Sequence, residues 1–132
     1  MPHILAIHTH PDDIEFLIAG TLALLAKRGW TVDMITMAPG DCGTAEHSQE
    51  EIMKIRRKEA AASAEIIGAR YRCLEGRDLC IYYDDLTQRQ VTEAVRASRP
   101  DMVITASPQD YMKDHENTSV LVRTACFNAP IK

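Results

Sequence analysis

Three polar clusters interrupt the apolar runs of this 132-residue chain, and each carries side chains able to bind a cation or move a proton. The first, His8-Thr9-His10-Pro11-Asp12-Asp13, sets two imidazoles and two carboxylates in one short turn. A turn built for a nucleotide pyrophosphate needs glycines so that the backbone can approach it, and this one has none. Imidazole and carboxylate together suit zinc and its neighbours in the transition series. A catalytic zinc takes three protein ligands and keeps one position open for water. His10 and Asp13, held apart by the stiff Pro11, supply two. The third has to come from elsewhere, and the candidate is His115 in Asp110-Tyr111-Met112-Lys113-Asp114-His115-Glu116. Asp12 is then free to act as general base on water that zinc acidifies towards a pKa of ~7.

The same residues admit plainer readings. An Asp ahead of an apolar helix is a routine N-cap, and His115 alone is an ordinary capping or surface residue. His8-Thr9-His10 also resembles the metal-binding pair of barrel-type amidohydrolases. Such barrels need ~250 residues, and they have no use for the Pro-Asp-Asp that follows. Loss of metal on mutating His8 would favour that pair; retention leaves His8 as a core or supporting residue.

The elements around these clusters decide whether the clusters can meet. Ile4 to Ile7 reads as a buried strand, and residues 14–28 as a helix capped by Gly29. Thr31 to Met37 reads as a second strand ending at the turn Pro39-Gly40-Asp41, with a loop from Cys42 to His47. Ser48 and Glu51 form a capping box for a long helix ending near Gly68. Tyr71 to Leu74 is a third strand. Asp84 or Asp85 caps a helix that runs to Ser98 and stops at Arg99-Pro100. Met102 to Thr105 is a fourth strand, and residues 115–126 a last helix. Strands alternating with helices predict an α/β, Rossmann-like doubly wound fold, a mainly parallel sheet with helices on both faces. Active sites in such sheets lie at the carboxyl ends of the strands. The polar clusters at 8–13, 39–47 and 107–115 fall at those ends.

Composition narrows the function classes. With 45% hydrophobic and 26% charged residues, the chain reads as a single globular domain over 1–132. A net charge of −4 speaks against nucleic-acid binding. The basic run Lys54 to Lys58 lies among glutamates and reads as a salt-bridged helix face. Four cysteines without a C-x-x-C pair, three of them in apolar sequence surroundings, favour reduced thiols and a cytoplasmic location over a disulfide such as Cys73–Cys80. No run approaches the ~20 apolar residues of a membrane span, and no charged leader with an apolar signal segment precedes the first strand.

Taken in order, the motifs resemble a known family. Ala6-Ile7-His8-Thr9-His10-Pro11-Asp12-Asp13 followed by Ala19-Gly20-Thr21-Leu22-Ala23 is similar to the opening of the PIG-L/LmbE-like de-N-acetylases. Their members include N-acetylglucosaminyl-phosphatidylinositol deacetylases and the deacetylases of mycothiol and bacillithiol synthesis. The similarity continues through Gly29-Trp30-Thr31-Val32, Pro39-Gly40-Asp41-Cys42-Gly43 and Arg56-Arg57-Lys58-Glu59. It extends to Ala64-Glu65-Ile66-Ile67-Gly68, Arg99-Pro100-Asp101 and Asp114-His115. The resemblance implies a zinc or other divalent transition ion on His10, Asp13 and His115, with Asp12 as the base. It implies Asp114, beside His115, as an outer support of the metal site, and Arg56 and Asp78 on the substrate. The implied reaction removes an N-acetyl or similar acyl group from an amino sugar or sugar conjugate. The implied partner is a small molecule, and a homo-oligomer is compatible with the sequence.

Two departures accompany the resemblance. Relatives commonly carry a histidine three residues before the closing one, where this chain has Met112. The oxyanion is then expected to lean on the metal and on the Tyr111 hydroxyl. Typical relatives are also longer, so a domain truncated on its C-terminal side is expected. Both features support an alternative in which the chain binds metal or sugar without turnover.

Overall fold

A computed structural model describes residues 1–132. Its sheet has four parallel strands, β1 (His3–His8), β2 (Thr31–Thr36), β3 (Arg70–Cys73) and β4 (Met102–Ile104), in the order β3-β2-β1-β4. Between and after them run α1 (Asp13–Leu17), α2 (Ala19–Lys27), α3 (Gln49–Ile66), α4 (Asp85–Ser98) and α5 (Lys113–Asn128).

Strand β1 is central, and its side chains alternate between two cores. Ile4 and Ala6 pack with Val32, Met34, Ile14, Leu22 and Ala64, under α1, α2 and α3. Leu5 and Ile7 pack with Ile35, Val91, Val95, Leu121 and Val122, under α4 and α5. Burial on both faces is why β1 reads as an unbroken apolar run rather than an alternating one. The doubly wound expectation is met.

The helix signals in the sequence have direct counterparts. Ser48 Oγ accepts from Glu51 N at 3.3 Å while Ser48 N donates to Glu51 Oε2 at 2.9 Å, the reciprocal capping box of α3. Asp84 Oδ1 accepts from Thr87 N at 2.8 Å and caps α4, which ends at Arg99 in the left-handed region before Pro100. Strand ends fall within a residue or so of their expected places.

Three expectations need correction. The helix expected over 14–28 is two helices, broken at Ile18 (φ −137°, ψ 0°). Ile14 from the first and Leu22 from the second both reach the core, and the break falls among apolar residues, two positions before Gly20. The last helix starts two residues early, at Lys113. The cysteines are free, but Cys42, Cys80 and Cys126 are exposed and Cys73 half-buried. Their apolar sequence neighbours turn inward instead, as Ile81 does beside exposed Cys80. No helix is long and apolar enough to cross a membrane.

Candidate functional site

The loops following β1, β2, β3 and β4 gather at the carboxyl end of the sheet. Thr9, buried at the end of β1, bonds Thr118 Oγ1 of α5 at 2.8 Å and so fixes the first loop against the last helix. The turn that follows is strained: Asp12 has φ +116°, a region costing a non-glycine residue about 1–3 kcal/mol. Arg56 of α3 holds it there, with Nη2 donating to the Pro11 carbonyl and lying 3.2 Å from Asp12 Oδ2. Gly40 (φ +80°) lets the second loop approach this clamp. A Cβ there would meet Arg56 Cγ at 3.3 Å and Pro11 Cδ at 3.5 Å.

Three imidazoles converge on one carboxylate oxygen. Asp13 Oδ2 lies 3.0 Å from His8 Nδ1, 3.3 Å from His115 Nε2 and 3.5 Å from His10 Nδ1. It also accepts from His10 N at 2.8 Å. The far nitrogens of two rings meet further carboxylates: His10 Nε2 lies 3.1 Å from Asp114 Oδ2, and His115 Nδ1 lies 3.1 Å from Asp110 Oδ1. Two donors ~2.0–2.1 Å from one tetrahedral zinc sit about 3.3 Å apart. The Asp13–His115 and Asp13–His10 spacings match that value. Donor atoms of His8, Asp13 and His115 lie within 4.8 Å of one another, a group that does not include His10. His8 is less suited to a cation, because its Nδ1 already accepts from Thr9 N at 2.8 Å. Its Nε2 is buried without a partner.

The electrostatics follow from this crowding. Burial opposes ionisation of Asp13, yet hydrogen bonding from His10 and the adjacent His8 imidazole hold its carboxyl well below the usual carboxylate range. Burial opposes charge on His10, but the bond to Asp13 and the nearby Asp78 and Asp114 carboxylates raise it overall. Burial and then the Asp13 charge push the Asp12 carboxyl up, against the pull of Arg56 and His10.

His10, Asp12, Asp13, Arg56, Asp78, Tyr111 and His115 all border one cleft of about 660 Å³. Arg56 is already engaged, with Nη1 donating to Glu59 Oε2 at 2.6 Å. Asp78 is buried and accepts from Gly40 N and Cys42 N, each at 3.0 Å, so it staples the second loop to the third. Tyr111 is 91% exposed, its ring edge-on to His115 at 5.6 Å between centroids. Met112 lines the cleft beside it.

Asp114 contacts His10 rather than its sequence neighbour His115. It lies beneath the cleft and reaches across to His10, while also accepting from Leu79 N at 2.7 Å and Ile81 N at 3.4 Å. Successive helical residues point about 100° apart, so a sequence neighbour of His115 serves a different ring. The carboxylate on His115 is Asp110, which the sequence reading missed. Its signal was an Asp two residues ahead of the residue that precedes the helix, the spacing of an Asx turn; its Oδ1 accepts from Met112 N at 3.0 Å.

Residues 5–126 match the family model described as PIG-L, GlcNAc-PI de-N-acetylase. The chain is 26% identical over 137 residues to a probable N-acetyl-alpha-D-glucosaminyl L-malate deacetylase 2 of Bacillus anthracis, covering 97% of this chain and 61% of that protein. It is 27% identical over 119 residues to 4-oxalmesaconate hydratase of Pseudomonas putida, covering 84% and 46% respectively. Among solved structures, N,N'-diacetylchitobiose deacetylase from Pyrococcus horikoshii superposes with a TM-score of 0.93 at 29% identity, covering 98% of this chain and 51% of that one. The chain therefore spans roughly half to three-fifths of the length of these relatives.

Proposed function

The chain belongs to the PIG-L family, and we propose that it is a metal-dependent hydrolase that removes an N-acetyl or similar acyl group from an amino sugar or sugar conjugate. One observation carries the reading: His10 Nδ1 and His115 Nε2 meet at Asp13 Oδ2, each ring with a carboxylate behind it. That backing is the usual arrangement for imidazoles that bind a divalent cation. In this reading His10, Asp13 and His115 hold the ion. Zinc fits the donor set best, and iron, cobalt or manganese fit the same ligands.

The bound ion supplies Lewis acidity, polarising the acyl carbonyl and acidifying water. Asp12 takes the proton from the attacking water. Its raised affinity for protons suits it to hold that proton and return it to the departing amine. Arg56, 3.2 Å away, keeps the carboxylate facing the cleft. Arg56 and Asp78, both on the cleft wall, are assigned to the hydroxyls of the sugar, and the exposed Tyr111 hydroxyl to the developing oxyanion. The substrate is a small molecule, and free thiols suit a cytoplasmic location.

The test is acetate release from N-acetylglucosamine derivatives by the whole chain, with and without a chelator, beside elemental analysis of the purified protein. Chelator-sensitive release with about one equivalent of a transition metal supports the reading; absence of bound metal sinks it. A second reading is hydration of an unsaturated carboxylate. Met112, which has no proton to offer a carbonyl, and the 27% identity to a hydratase favour it. Loss of conjugated ultraviolet absorbance from such an acid, with no acetate release, would select hydration. Metal uptake without either activity would identify a binding-only member.

A further inference from the structure

We propose that Asp110 is a positioning residue for His115, fixing which of its two ring nitrogens is free to bind a cation. The proposal rests on the metal-site reading above and goes beyond it to a residue outside the expected ligand and substrate set. A neutral imidazole carries one N–H and one lone pair, on different nitrogens. Asp110 Oδ1 lies 3.1 Å from His115 Nδ1. A carboxylate has only lone pairs to offer there, so the hydrogen belongs on Nδ1 and the free lone pair on Nε2. Nε2 is the atom that faces Asp13, at 3.3 Å. The opposite tautomer would set two lone pairs against each other at 3.1 Å and point an N–H where the ion should sit; with the hydrogen on Nδ1 the Nε2 lone pair faces the Asp13 carboxylate, a repulsion that an ion shared by the two removes.

The carboxylate is itself held in place. The same Oδ1 accepts from Met112 N at 3.0 Å, which locks a turn directly before α5. Met112 stands at the N-cap position and its side chain makes no capping bond, so the Asp110 turn takes over the start of the helix that carries His115. The ring is steadied on its other sides by Tyr111, at 5.6 Å, and by the edge of His8, at 4.9 Å between centroids. His10 has a matching support in Asp114 from the opposite direction. His8 has none, its outer nitrogen being buried and unpartnered. Of the three imidazoles on Asp13, His10 and His115 have a carboxylate behind them and His8 does not.

Two measurements on the ¹⁵N-labelled chain test this. The first reads the ring tautomer of His115 by long-range ¹H–¹⁵N correlation in the zinc-loaded protein. The second reads zinc affinity by competition with a chromophoric chelator. Wild type is expected to show the Nδ1–H tautomer. Asp110→Ala is expected to lose that preference and to bind zinc about 10–100-fold more weakly, the range for losing an outer partner of a ligating histidine. Asp110→Asn keeps an acceptor oxygen for both Met112 N and the ring, so it should retain the tautomer and stay within about threefold of wild type. A merely structural role would not move the tautomer, and rescue by Asn separates the relay from the bulk of the side chain. Should Asp110→Ala fail to fold, the wild-type tautomer and the Asn variant still decide: an Nε2–H ring in wild type overturns the proposal. A wild-type chain that takes up no zinc overturns the metal reading and the positioning role together. A zinc-binding chain whose affinity ignores Asp110→Ala overturns the positioning role alone.

Discussion

The two ends of the sheet use the same residue types to opposite effect. At the amino end, Asp33 receives Arg70 Nε at 2.7 Å and Nη2 at 3.0 Å, and His3 Nε2 lies 2.9 Å away. A guanidinium is always charged and its fork matches a carboxylate, so Asp33 is neutralised by the protein itself. At the carboxyl end, Asp13 meets three imidazoles and no guanidinium. Asp110, Asp114 and Asp78 add further carboxylates around them. Strain divides the same way. Asp12, Glu75 and Leu79 adopt positive φ at the carboxyl end, whereas the fourth such residue, Arg99, merely caps a helix. A self-satisfied ion cluster holds a fold together; an excess of lone pairs around strained loops is a place for an added cation.

Breaking the carboxyl-end cluster should have the largest consequence. His115→Ala removes one of the three proposed ligands, and zinc affinity should fall by at least about 100-fold, more than for an outer partner, with activity falling alongside. Chelator competition and acetate release read both, and an unchanged affinity would remove His115 from the site. Next comes Asp12→Asn, which keeps the size and takes away the base. Acetate release should drop by about 10²–10⁴ while zinc affinity stays within a few-fold, since Asp12 faces the cleft rather than Asp13's imidazoles. Equal losses in both quantities would instead make Asp12 a structural support. At the opposite end, Asp33→Ala should leave zinc affinity untouched and lower stability by about 1–2 kcal/mol, measured by denaturant unfolding. Arg70 is 71% exposed along its side chain and can return to water, which keeps the cost modest. Any effect of Asp33→Ala on the metal would mean that the two ends are not independent.

How far the sequence went differs between these regions. The sheet was legible because β1, buried on both faces, carries an unbroken apolar run, because β2 is rich in β-branched and apolar residues, and because α3 and α4 announce themselves with side-chain caps. The break at Ile18 was not legible, since every residue from Phe16 to Ile18 is apolar and Ile14 and Leu22 would share one face of an unbroken helix as well. The meeting of His10 and His115 could be anticipated from strand ends alone, as the doubly wound topology brings those loops together. Which carboxylate backs which ring could not. Asp114 and Asp110 lie on either side of a helix start that sequence placed two residues late, and that shift decides which one faces His115. Arg56 shows the same gap: its type and place were readable, but its clamp on the Pro11 carbonyl exists only once α3 is packed against the first loop.

The smallest expected effect tests whether an ordinary ion pair near the site behaves like the amino-end cluster. Arg57 Nη2 donates to Glu75 Oε2 at 2.6 Å, joining α3 to the loop after β3. That pairing holds the Glu75 carboxyl below its ordinary value of 4.5, and Glu75 raises Arg57 in turn. A carboxyl depressed on folding contributes stability that is fully present above its unfolded value. The contribution is lost as the pH falls through the lower, folded value. Glu75→Gln should therefore unfold at slightly lower denaturant than wild type at pH 7 and converge with it in the acid range below 4.5. Both partners are largely exposed, so the difference at pH 7 should stay under about 1 kcal/mol and shrink in high salt. A larger difference, or one that persists in salt, would mean that the pair is shielded from solvent and ions rather than screened as an exposed pair.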